Sequence, residues 1–390
     1  MLPFFSRAFG YTIFEVIVIT NSSERFFIII CAALALTLGA ILVLSPPKSF
    51  SEKENRALAG APSFRVKSFT SGEFLTELSN FCADQFPFRE YLTDVKAKCE
   101  ILLGKRENNG VFITKSTLVD LCEYKDPDVL EQNLAAMRRF STSTRNKVTL
   151  LCAPRAVDIS AISLGIDNTF SQGKLYSKIN ECGIDTLPIL SPLIHEQNIS
   201  DNIWYRTDHH WTTRGAHIAY KLLMIEWGIT PYGEEFFDKE AASHGFLGSA
   251  YSRSGVTDYT PDSIYLYRYD GDGELEVEYV SERRIKRGFY DLDKLGTRDK
   301  YAVFLGGNFD HIKIRTDGDS RPRLLLIKDS FANSVIPFLA LHFDIDVIDP
   351  RYINEPISTI VDLDGYDRIL ILCGADTLAT DTGFGKQLGK

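Results

Sequence analysis

The chain has 390 residues, of which 44% are hydrophobic and 24% charged, and its 43 Lys and Arg against 52 Asp and Glu give a formal net charge of −9. This ordinary composition excludes a wholly disordered chain, a fibrous repeat and a membrane protein with many spans. The acidic balance argues against general nucleic-acid binding, which needs a basic face.

The first strong feature is an uncharged apolar run, Phe26–Leu44, interrupted only by Thr37 and Gly39. A helix of this length spans about 28 Å, enough for a bilayer core. The run begins late and lacks an A-x-A-like exit, which favours an uncleaved signal anchor over a cleaved signal peptide or a buried core helix. Residues 1–47 are therefore predicted to be a cytoplasmic N-terminus and a transmembrane anchor. The semi-apolar stretch Tyr11–Thr20 is too short to span and is assigned to the interface or to an N-terminal extension.

Residues 48–110 are predicted to form a stalk and a helical lead-in. Lys48–Ser63 are mostly polar and have no sustained period, as expected of a stalk. Ser71–Leu103 carry apolar side chains at helical spacing, in two runs separated by Pro87. The Asn-Asn-Gly triplet that ends at Gly110 predicts a turn before a short strand.

From residue 111 onward, short apolar runs alternate with helical patterns, which predicts an α/β domain over residues 111–390 with a parallel sheet covered on both faces. Ligands on such sheets bind at the C-terminal strand ends. The predicted strands are Lys147–Cys152, Asp185–Leu190, Tyr301–Leu305, Arg323–Ile327, Phe343–Ile348 and Arg368–Cys373. The predicted helices are Asp128–Phe140, Lys174–Cys182, Thr213–Trp227 and Phe331–His342. The seven cysteines show no metal-binding spacing, and several lie in apolar surroundings, which favours buried free thiols over disulfides.

The clearest chemical signal is a cluster of three histidines within nine residues: His209, His210 and His217. In an extended stretch, residues two apart point the same way, so Asp208 and His210 are predicted to share a face while His209 points away. A carboxylate beside an imidazole holds its tautomer and stabilises the imidazolium formed after proton abstraction. The pattern therefore predicts an acid–base pair.

Residues 231–300 form a predicted insertion that is rich in Gly, Asp and Tyr. A polar segment of this kind inside an α/β domain is either a lid or carbohydrate-facing surface, or a small β-hairpin accessory layer. Its tyrosines include Tyr251, Tyr259, Tyr265, Tyr267, Tyr269, Tyr279 and Tyr290.

The second chemical signal is a buried strand that runs directly into Lys328-Asp329-Ser330. This arrangement predicts that Ser330 lies at a helix N-terminus on the C-terminal edge of the sheet, where backbone N–H groups favour a developing oxyanion. The alternative is that Asp329 or Ser330 is only an N-cap.

Two weaker signals follow neighbouring strands. Gly306 and Gly307 allow the backbone to approach a ligand closely, and Asn308 is a candidate amide donor to an oxyanion. The alternative is a tight turn in which Asn308 has the left-handed backbone conformation. Arg351 and Tyr352 follow the strand beside that of Ser330 and are candidates to contact a sugar or an acyl carbonyl, with a structural role as the alternative.

Several motifs together resemble the DHHW family, a group of bacterial membrane-anchored proteins similar to the alginate O-acetyltransferase group of SGNH-hydrolase-like enzymes. The resemblance implies an SGNH-like α/β fold with a parallel sheet sandwiched by helices. The motifs are DHHW (Asp208–Trp211), KDSFANS (Lys328–Ser334), GGN (Gly306–Asn308), ENNGVF (Glu107–Phe112), FPFRE (Phe86–Glu90) and DPRY (Asp349–Tyr352).

Carried over to this chain, the resemblance implies that Ser330 is the nucleophile, His210 the general base and Asp208 the group that orients it, with Asn308 as the oxyanion donor. Two residues depart from the pattern. Lys328 stands where relatives often have Gly before Asp-Ser, and His209 replaces a small residue.

The resemblance further implies a membrane-anchored, extracytoplasmic O-acyltransferase, by preference an O-acetyltransferase, of a bacterial cell membrane. Its acceptor would be a cell-envelope or secreted polysaccharide, its acyl donor a membrane-bound O-acyltransferase, and it needs no cofactor and no metal.

Three other hypotheses stay open. The first is a carbohydrate esterase that uses the same triad, and the second is a catalytically silent glycan-binding or scaffolding relative. The third is a metal site made of Asp208, His210 and His217, whose spacing matches no common metal motif. The serines that compete with Ser330 as candidate nucleophiles are Ser249, Ser254 and Ser334.

Overall fold

A computed structural model of the protein describes residues 22–51, 56–121, 126–166, 172–200, 202–316 and 321–388. The predicted interfacial stretch Tyr11–Thr20 and Cys122 lie outside these residues. The chain forms two compact units, Met1–Val95 and Lys96–Lys390.

The described part of the N-terminal unit starts with one long apolar helix, α1 (Ser22–Leu44), which contains the predicted span Phe26–Leu44. None of its residues is buried, and 23 residues rise about 35 Å. Among the described residues it is the one helix with the length and composition to cross a membrane, and a signal sequence near an N-terminus meets the same criteria.

The predicted stalk contains ordered structure of its own. A minimal antiparallel pair joins β1 (Phe50–Ser51) to β2 (Arg56–Ala57). The side-chain amide of Gln85 exchanges hydrogen bonds of 2.9 Å with the backbone of Lys48 in both directions. The helices that follow are α2 (Val66–Thr70), α3 (Glu73–Asp84) and α4 (Arg89–Leu102), and the last two match the helical spacing predicted over this region.

The larger unit is built from short strands that are separated by helices and loops. Its strands are β3 (Glu107–Asn108), β4 (Val111–Ile113), β5 (Leu118–Asp120), β6 (Val148–Ala153), β7 (Asp185–Thr186), β8 (Asp238–Phe246), β9 (Asp262–Arg268), β10 (Glu276–Tyr279), β11 (Arg284–Arg287), β12 (His311–Arg315), β13 (Arg323–Lys328), β14 (Asp344–Ile348) and β15 (Arg368–Gly374). Its helices are α5 (Pro127–Thr142), α6 (Ala156–Leu164), α7 (Gln172–Asn180), α8 (Leu190–Ser200), α9 (Thr213–Glu226), α10 (Ser249–Ser254), α11 (Ile336–Leu339), α12 (Ile357–Ile360) and α13 (Ala375–Thr380).

Eight of these strands form one mixed sheet in the order β11-β10-β12-β14-β13-β15-β6-β7. The five strands from β14 to β7 are parallel, as predicted, whereas β10, β11 and β12 pair antiparallel. The prediction of a wholly parallel sheet is therefore wrong at one edge. The carboxyl end of β13 lies between two parallel neighbours, where the cleft of an α/β sheet forms.

Hydrophobic side chains cover both faces of the sheet, because alternate residues of a strand point to opposite sides. On β13, Leu324 and Leu326 join the core that includes α9 and α11, whereas Leu325 and Ile327 join the core that includes α5 and α7. This double burial explains why these strands read as continuous apolar runs.

Three predicted elements differ from the observed ones. The predicted strand Asp185–Leu190 is only the two-residue β7, and Leu190 is already the first residue of α8. Tyr301–Leu305 is not a strand, because Lys300–Val303 form a 3-10 helix and Leu305 already has a positive φ of 61°. The predicted helix Phe331–His342 is instead a 3-10 helix, Ser330–Ser334, followed by the short α11.

The predicted insertion, residues 231–300, contains four β-strands together with short helices and loops. β8 and β9 form a separate antiparallel pair, which matches the accessory-layer interpretation, and β10 and β11 extend the main sheet. Tyr267, Tyr279 and Tyr290 are buried, whereas Tyr265 is exposed.

Candidate active site

The histidine motif lies in a loop between α8 and α9. The loop is closed by a β-bridge between Trp204 and Trp211 and by a hydrogen bond of 3.2 Å from the Tyr205 N–H to the His210 carbonyl oxygen. Thr212 then caps α9 by accepting a hydrogen bond from the Gly215 N–H. The segment therefore bends instead of running extended as predicted.

Asp208, His210 and Ser330 form one hydrogen-bonded chain. The Nδ1 atom of His210 lies 2.6 Å from Oδ1 of Asp208, and its Nε2 atom lies 2.8 Å from Oγ of Ser330. Because a carboxylate only accepts hydrogen bonds, the proton of the neutral imidazole belongs on Nδ1 and the lone pair of Nε2 faces the serine. Asp208 and His210 are buried, whereas Ser330 is partly exposed.

The Asp208 carboxylate is held from the other side by α10. Its Oδ2 atom accepts a hydrogen bond of 2.7 Å from the Ser249 N–H, and its Oδ1 atom also accepts one from the His210 N–H. Gly248 allows this approach, because a Cβ there would overlap the carboxylate. Burial raises the pKa of Asp208, but His209, His210 and these hydrogen bonds outweigh it and hold the pKa well below its usual range.

The imidazole of His210 is enclosed by aromatic rings. It stacks on Tyr301 with ring centroids 4.0 Å apart and planes 8° apart, and its centroid lies 4.9 Å from that of Phe331. Burial and then the neighbouring His209 lower the pKa of His210 to about 4, against the opposing effect of Asp208. His210 is therefore neutral at pH 7, the form that accepts a proton.

His209 does not point away as predicted. Its ring centroid lies 3.8 Å from that of His210, and its Nδ1 atom lies 2.6 Å from Oγ of Ser249. Asp208, His209 and His210 offer ligand atoms within 4.8 Å of one another. His217 lies on α9 and is buried elsewhere, among Phe237 and other aromatic rings. The hypothetical metal ligand set of Asp208, His210 and His217 is thus not assembled in the described part of the chain.

Ser330 begins a tight turn that Asp329 holds in place. The buried Asp329 carboxylate accepts hydrogen bonds from the Phe331 N–H at 2.9 Å, the Gly374 N–H at 2.7 Å and the Thr377 hydroxyl at 2.6 Å. Asp329 is thus the N-cap of the 3-10 helix and ties it to the end of β15. Ser330, by contrast, directs its hydroxyl to His210.

The same turn is held by two aromatic side chains, Trp211 and Tyr301, for which the sequence predicted no role in the site. Trp211 Nε1 donates to the Phe331 carbonyl oxygen at 3.0 Å, and the Tyr301 hydroxyl donates to the Ser330 carbonyl oxygen at 3.2 Å. Both also contact the hydroxyl of Ser334. The Trp of the DHHW motif was the available sequence signal, whereas Tyr301 is distant in sequence and had none.

The competing serines have other partners. The Ser334 hydroxyl contacts Trp211 and Tyr301, and the Ser249 hydroxyl contacts His209. The Ser254 hydroxyl donates to the Tyr251 carbonyl oxygen.

Asn308 lies in a hydrogen-bonded network with Lys328 and Asn333. Its Oδ1 atom accepts from Lys328 Nζ at 2.8 Å and from Asn333 Nδ2 at 3.1 Å. The positive φ values of the turn are at Leu305, Gly306 and Gly307, so the alternative of a left-handed Asn308 is wrong.

Arg351 and Tyr352 have different environments. The Arg351 guanidinium makes two hydrogen bonds, of 2.8 and 2.7 Å, to the buried Asp349 carboxylate. Tyr352 is 53% exposed, and its ring centroid is 5.7 Å from the guanidinium carbon of Arg351. Their contact with a substrate stays a prediction.

Several solved structures share the fold of this chain at low sequence identity. A DHHW family protein from Eubacterium siraeum is 19% identical, with a TM-score of 0.59, and the alignment covers 72% of this chain and 95% of that one. PatB1 from Bacillus cereus is 16% identical, with a TM-score of 0.59, and the alignment covers 70% of this chain and 98% of that one. No curated protein matches the chain significantly. The model of the DHHW protein family matches residues 168–348, which confirms the resemblance to that family predicted from the motifs.

Proposed function

We propose that the protein is an O-acyltransferase that forms an acyl-enzyme on Ser330. The observation that carries this proposal is the hydrogen-bonded chain from Asp208 through His210 to the Ser330 hydroxyl. A serine so connected is an activated nucleophile, because the neighbouring imidazole removes its proton as the new bond forms.

In the first half-reaction, His210 Nε2 takes the Ser330 proton while Oγ bonds to the carbonyl carbon of the acyl donor. The tetrahedral intermediate collapses, and the leaving group departs with the proton from His210. In the second half-reaction, His210 takes the proton of an acceptor hydroxyl, whose oxygen attacks the acyl carbon. Ser330 then leaves and regains its proton from His210.

The charges around His210 support these roles. Asp208 stays ionised because its pKa is held well below the usual range, so it stabilises the imidazolium that forms in each half-reaction. His210 starts neutral because burial and His209 lower its pKa. Ser330 is partly exposed and is therefore open to a substrate carbonyl.

Asn308 is the proposed side-chain donor to the oxyanion. Its Oδ1 atom accepts from Lys328 and Asn333, which leaves its NH2 group as the free end of the amide. Arg351 and Tyr352 are the proposed contacts to the sugar or the acyl group.

The proposed acceptor is a hydroxyl of a cell-envelope or secreted polysaccharide, and the proposed donor is a membrane-bound O-acyltransferase that delivers the acyl group, by preference acetyl. The apolar helix α1 is proposed to anchor the protein, N-in and C-out, with the Ser330 site outside the cytoplasm. An SGNH-like arrangement of the site is part of the same proposal.

A serine-reactive probe tests the nucleophile. The structure of PatB1 from Bacillus cereus contains a sulfonyl adduct, so an aryl sulfonyl fluoride is a suitable reagent. We expect one adduct, lost in Ser330→Ala and slowed in His210→Ala but retained in Ser254→Ala. An adduct that persists in Ser330→Ala would refute the assignment.

Acetyl transfer to an oligosaccharide, measured beside acetate release, separates the remaining possibilities. Transfer that exceeds release supports the acyltransferase. Release alone identifies a carbohydrate esterase with the same triad. Neither product, together with no adduct, identifies a catalytically silent relative.

A further inference from the structure

The buried ammonium group of Lys328 has no part in the proton transfers proposed above. Lys328 ends β13, two residues before Ser330, and it is 0% exposed. An ammonium ion is costly to bury unless it is paired and hydrogen-bonded. The partners of Lys328 therefore indicate what its charge does.

Three oxygen atoms surround this ammonium group. Nζ donates to Oδ1 of Asn308 at 2.8 Å and to Oδ1 of Asn333 at 2.9 Å, and it lies 3.4 Å from Oδ2 of Asp349. Asp349 is also 0% exposed and pairs with Arg351 as well. Lys328 thus binds two neutral amides in addition to its counterion.

An ammonium group determines which way these amides face, because it has three donors and no acceptor. Only the oxygen end of an amide can lie 2.8 or 2.9 Å from it, so Asn308 and Asn333 both turn Oδ1 towards Lys328. The freed Nδ2 group of Asn333 then donates to Oδ1 of Asn308 at 3.1 Å. With two donors on its oxygen, the Asn308 amide is held in one orientation.

The opposite end of the Asn308 amide is its NH2 group, for which no described residue is an acceptor. Asn308 itself is half-buried. Asn333 belongs to the same 3-10 helix as Ser330, so the network joins the Asn308 amide to the turn that carries the serine.

We propose that Lys328 is a positioning residue that holds the Asn308 amide with its NH2 group presented to the oxyanion formed at Ser330. This inference rests on the proposed function. Without the ammonium group, both amides are free to rotate by half a turn, which would present an oxygen to the developing negative charge. Binding of the neutral ground state would change little, because the donor acts on charge that develops later.

The test is a double-mutant cycle on release of aryl alcohol from an aryl acetate, with kcat and KM measured for each full-length variant. Asn308→Ala is expected to lower kcat about 100-fold, as removal of an oxyanion donor does. Lys328→Met, which keeps the length of the side chain, is expected to lower kcat at least about tenfold with KM within about twofold.

The double variant distinguishes a positioning role from a merely structural one. If Lys328 acts through Asn308, Lys328→Met costs nothing further in the Asn308→Ala background. A multiplicative loss in the double variant, or an unchanged kcat in Lys328→Met, overturns the proposal. Lys313→Met is the matched control, because Lys313 lies on β12 of the same sheet and its ion-pair partner is Glu278, at 3.8 Å.

Asn333→Ala keeps the test decisive if Lys328→Met does not fold. It removes the second donor to Asn308 Oδ1 and leaves Lys328 paired with Asp349. We expect a loss of kcat that disappears in the Asn308→Ala background, and an unchanged kcat counts against the network. Ser330→Ala is assayed alongside these variants. If Ser330→Ala still turns over the ester, the proposed function itself is refuted. If Ser330→Ala is inactive, the proposed function stands, and the Lys328 and Asn333 variants then decide the role of Lys328.

Discussion

The imidazole of His210 lies flat against the phenol ring of Tyr301, with ring centroids 4.0 Å apart and planes 8° apart. The same tyrosine donates a hydrogen bond from its hydroxyl to the Ser330 carbonyl oxygen. One side chain therefore contacts both the proposed base and the proposed nucleophile, and two substitutions separate these contacts.

Tyr301→Phe keeps the ring and removes the hydroxyl, whereas Tyr301→Leu removes the stack as well. We expect Tyr301→Phe to lower the free energy of unfolding by about 1–3 kcal/mol, because the hydroxyl contacts both the Ser330 carbonyl oxygen and the Ser334 hydroxyl, with little change in kcat. We expect Tyr301→Leu to lower kcat more than tenfold, because His210 loses the surface that fixes its ring. A tenfold loss corresponds to a rise of roughly 1.4 kcal/mol in the activation free energy. Thermal unfolding and steady-state rates measure the two effects, and equal kcat losses in both variants would contradict this division.

The pH dependence of kcat/KM should follow the neutral form of His210. Burial and His209 lower the pKa of His210 to about 4, so the imidazole stays neutral at pH values between about 4 and 7. Activity should therefore fall only as the pH approaches about 4. His209→Asn removes the second cause, so the acid limb should move to higher pH. An acid limb centred near the ordinary histidine pKa in the unsubstituted protein would contradict the described burial.

The same pKa makes stability depend on pH. The unfolded chain protonates His210 near pH 6.5, whereas the folded chain does so only near pH 4. Unfolding therefore takes up a proton between these values, and the contribution of His210 to stability falls as pH decreases through this window. His210→Gln should make the fall measured by denaturant titration shallower.

Gly248 provides a test of the support behind Asp208. A Cβ at this position overlaps the carboxylate, whereas a Cβ at Gly245 meets no atom within 4 Å. Gly248→Ala should therefore slow modification of Ser330 by the sulfonyl fluoride at least about tenfold, since Asp208 must move and its hold on His210 weakens. Gly245→Ala should label at the original rate, and equal rates in both variants would show that the close approach is unimportant.

Asp329 is expected to act on the shape of the turn. Asp329→Asn keeps the size of the side chain but replaces one oxygen acceptor with a donor, where Phe331, Gly374 and Thr377 all donate. We expect a loss of about 1–3 kcal/mol in the free energy of unfolding, the cost of unsatisfied buried groups. Chemical denaturation measures it, and an unchanged midpoint would contradict the role assigned to this carboxylate.

Much of the central sheet could be predicted from the sequence, because a strand that is buried on both faces is a continuous run of apolar residues. β6, β13, β14 and β15 are short apolar runs bounded by polar residues, and each lies within one or two residues of its predicted bounds. The strands β10 and β11 of the antiparallel edge contain no such apolar run. β10 and β11 alternate charged and apolar residues and pair with each other locally, whereas β12, which joins them to the rest of the sheet, lies further along the chain.

The site was predictable to the extent that its signals were local. Asp208 and His210 are two residues apart, and Ser330 follows a buried strand, so residue type and position sufficed to nominate them. The stacking of Tyr301 on His210 and the binding of Lys328 to Asn308 join residues distant in sequence, and spacing cannot reveal such contacts. The apolar run at Tyr301–Leu305 reads as a strand because its 3-10 helix is buried in the core.

The central claim is that Ser330 carries the acyl group, and trapping that intermediate tests it most directly. The protein is incubated with an activated acetyl ester, quenched in acid and mapped by peptide mass spectrometry. The account predicts one acetyl group on the peptide that contains Ser330, located on Ser330 itself and absent from both Ser330→Ala and His210→Ala. Acetylation of Ser249, Ser254 or Ser334 instead, or turnover of the ester without Ser330, would contradict it.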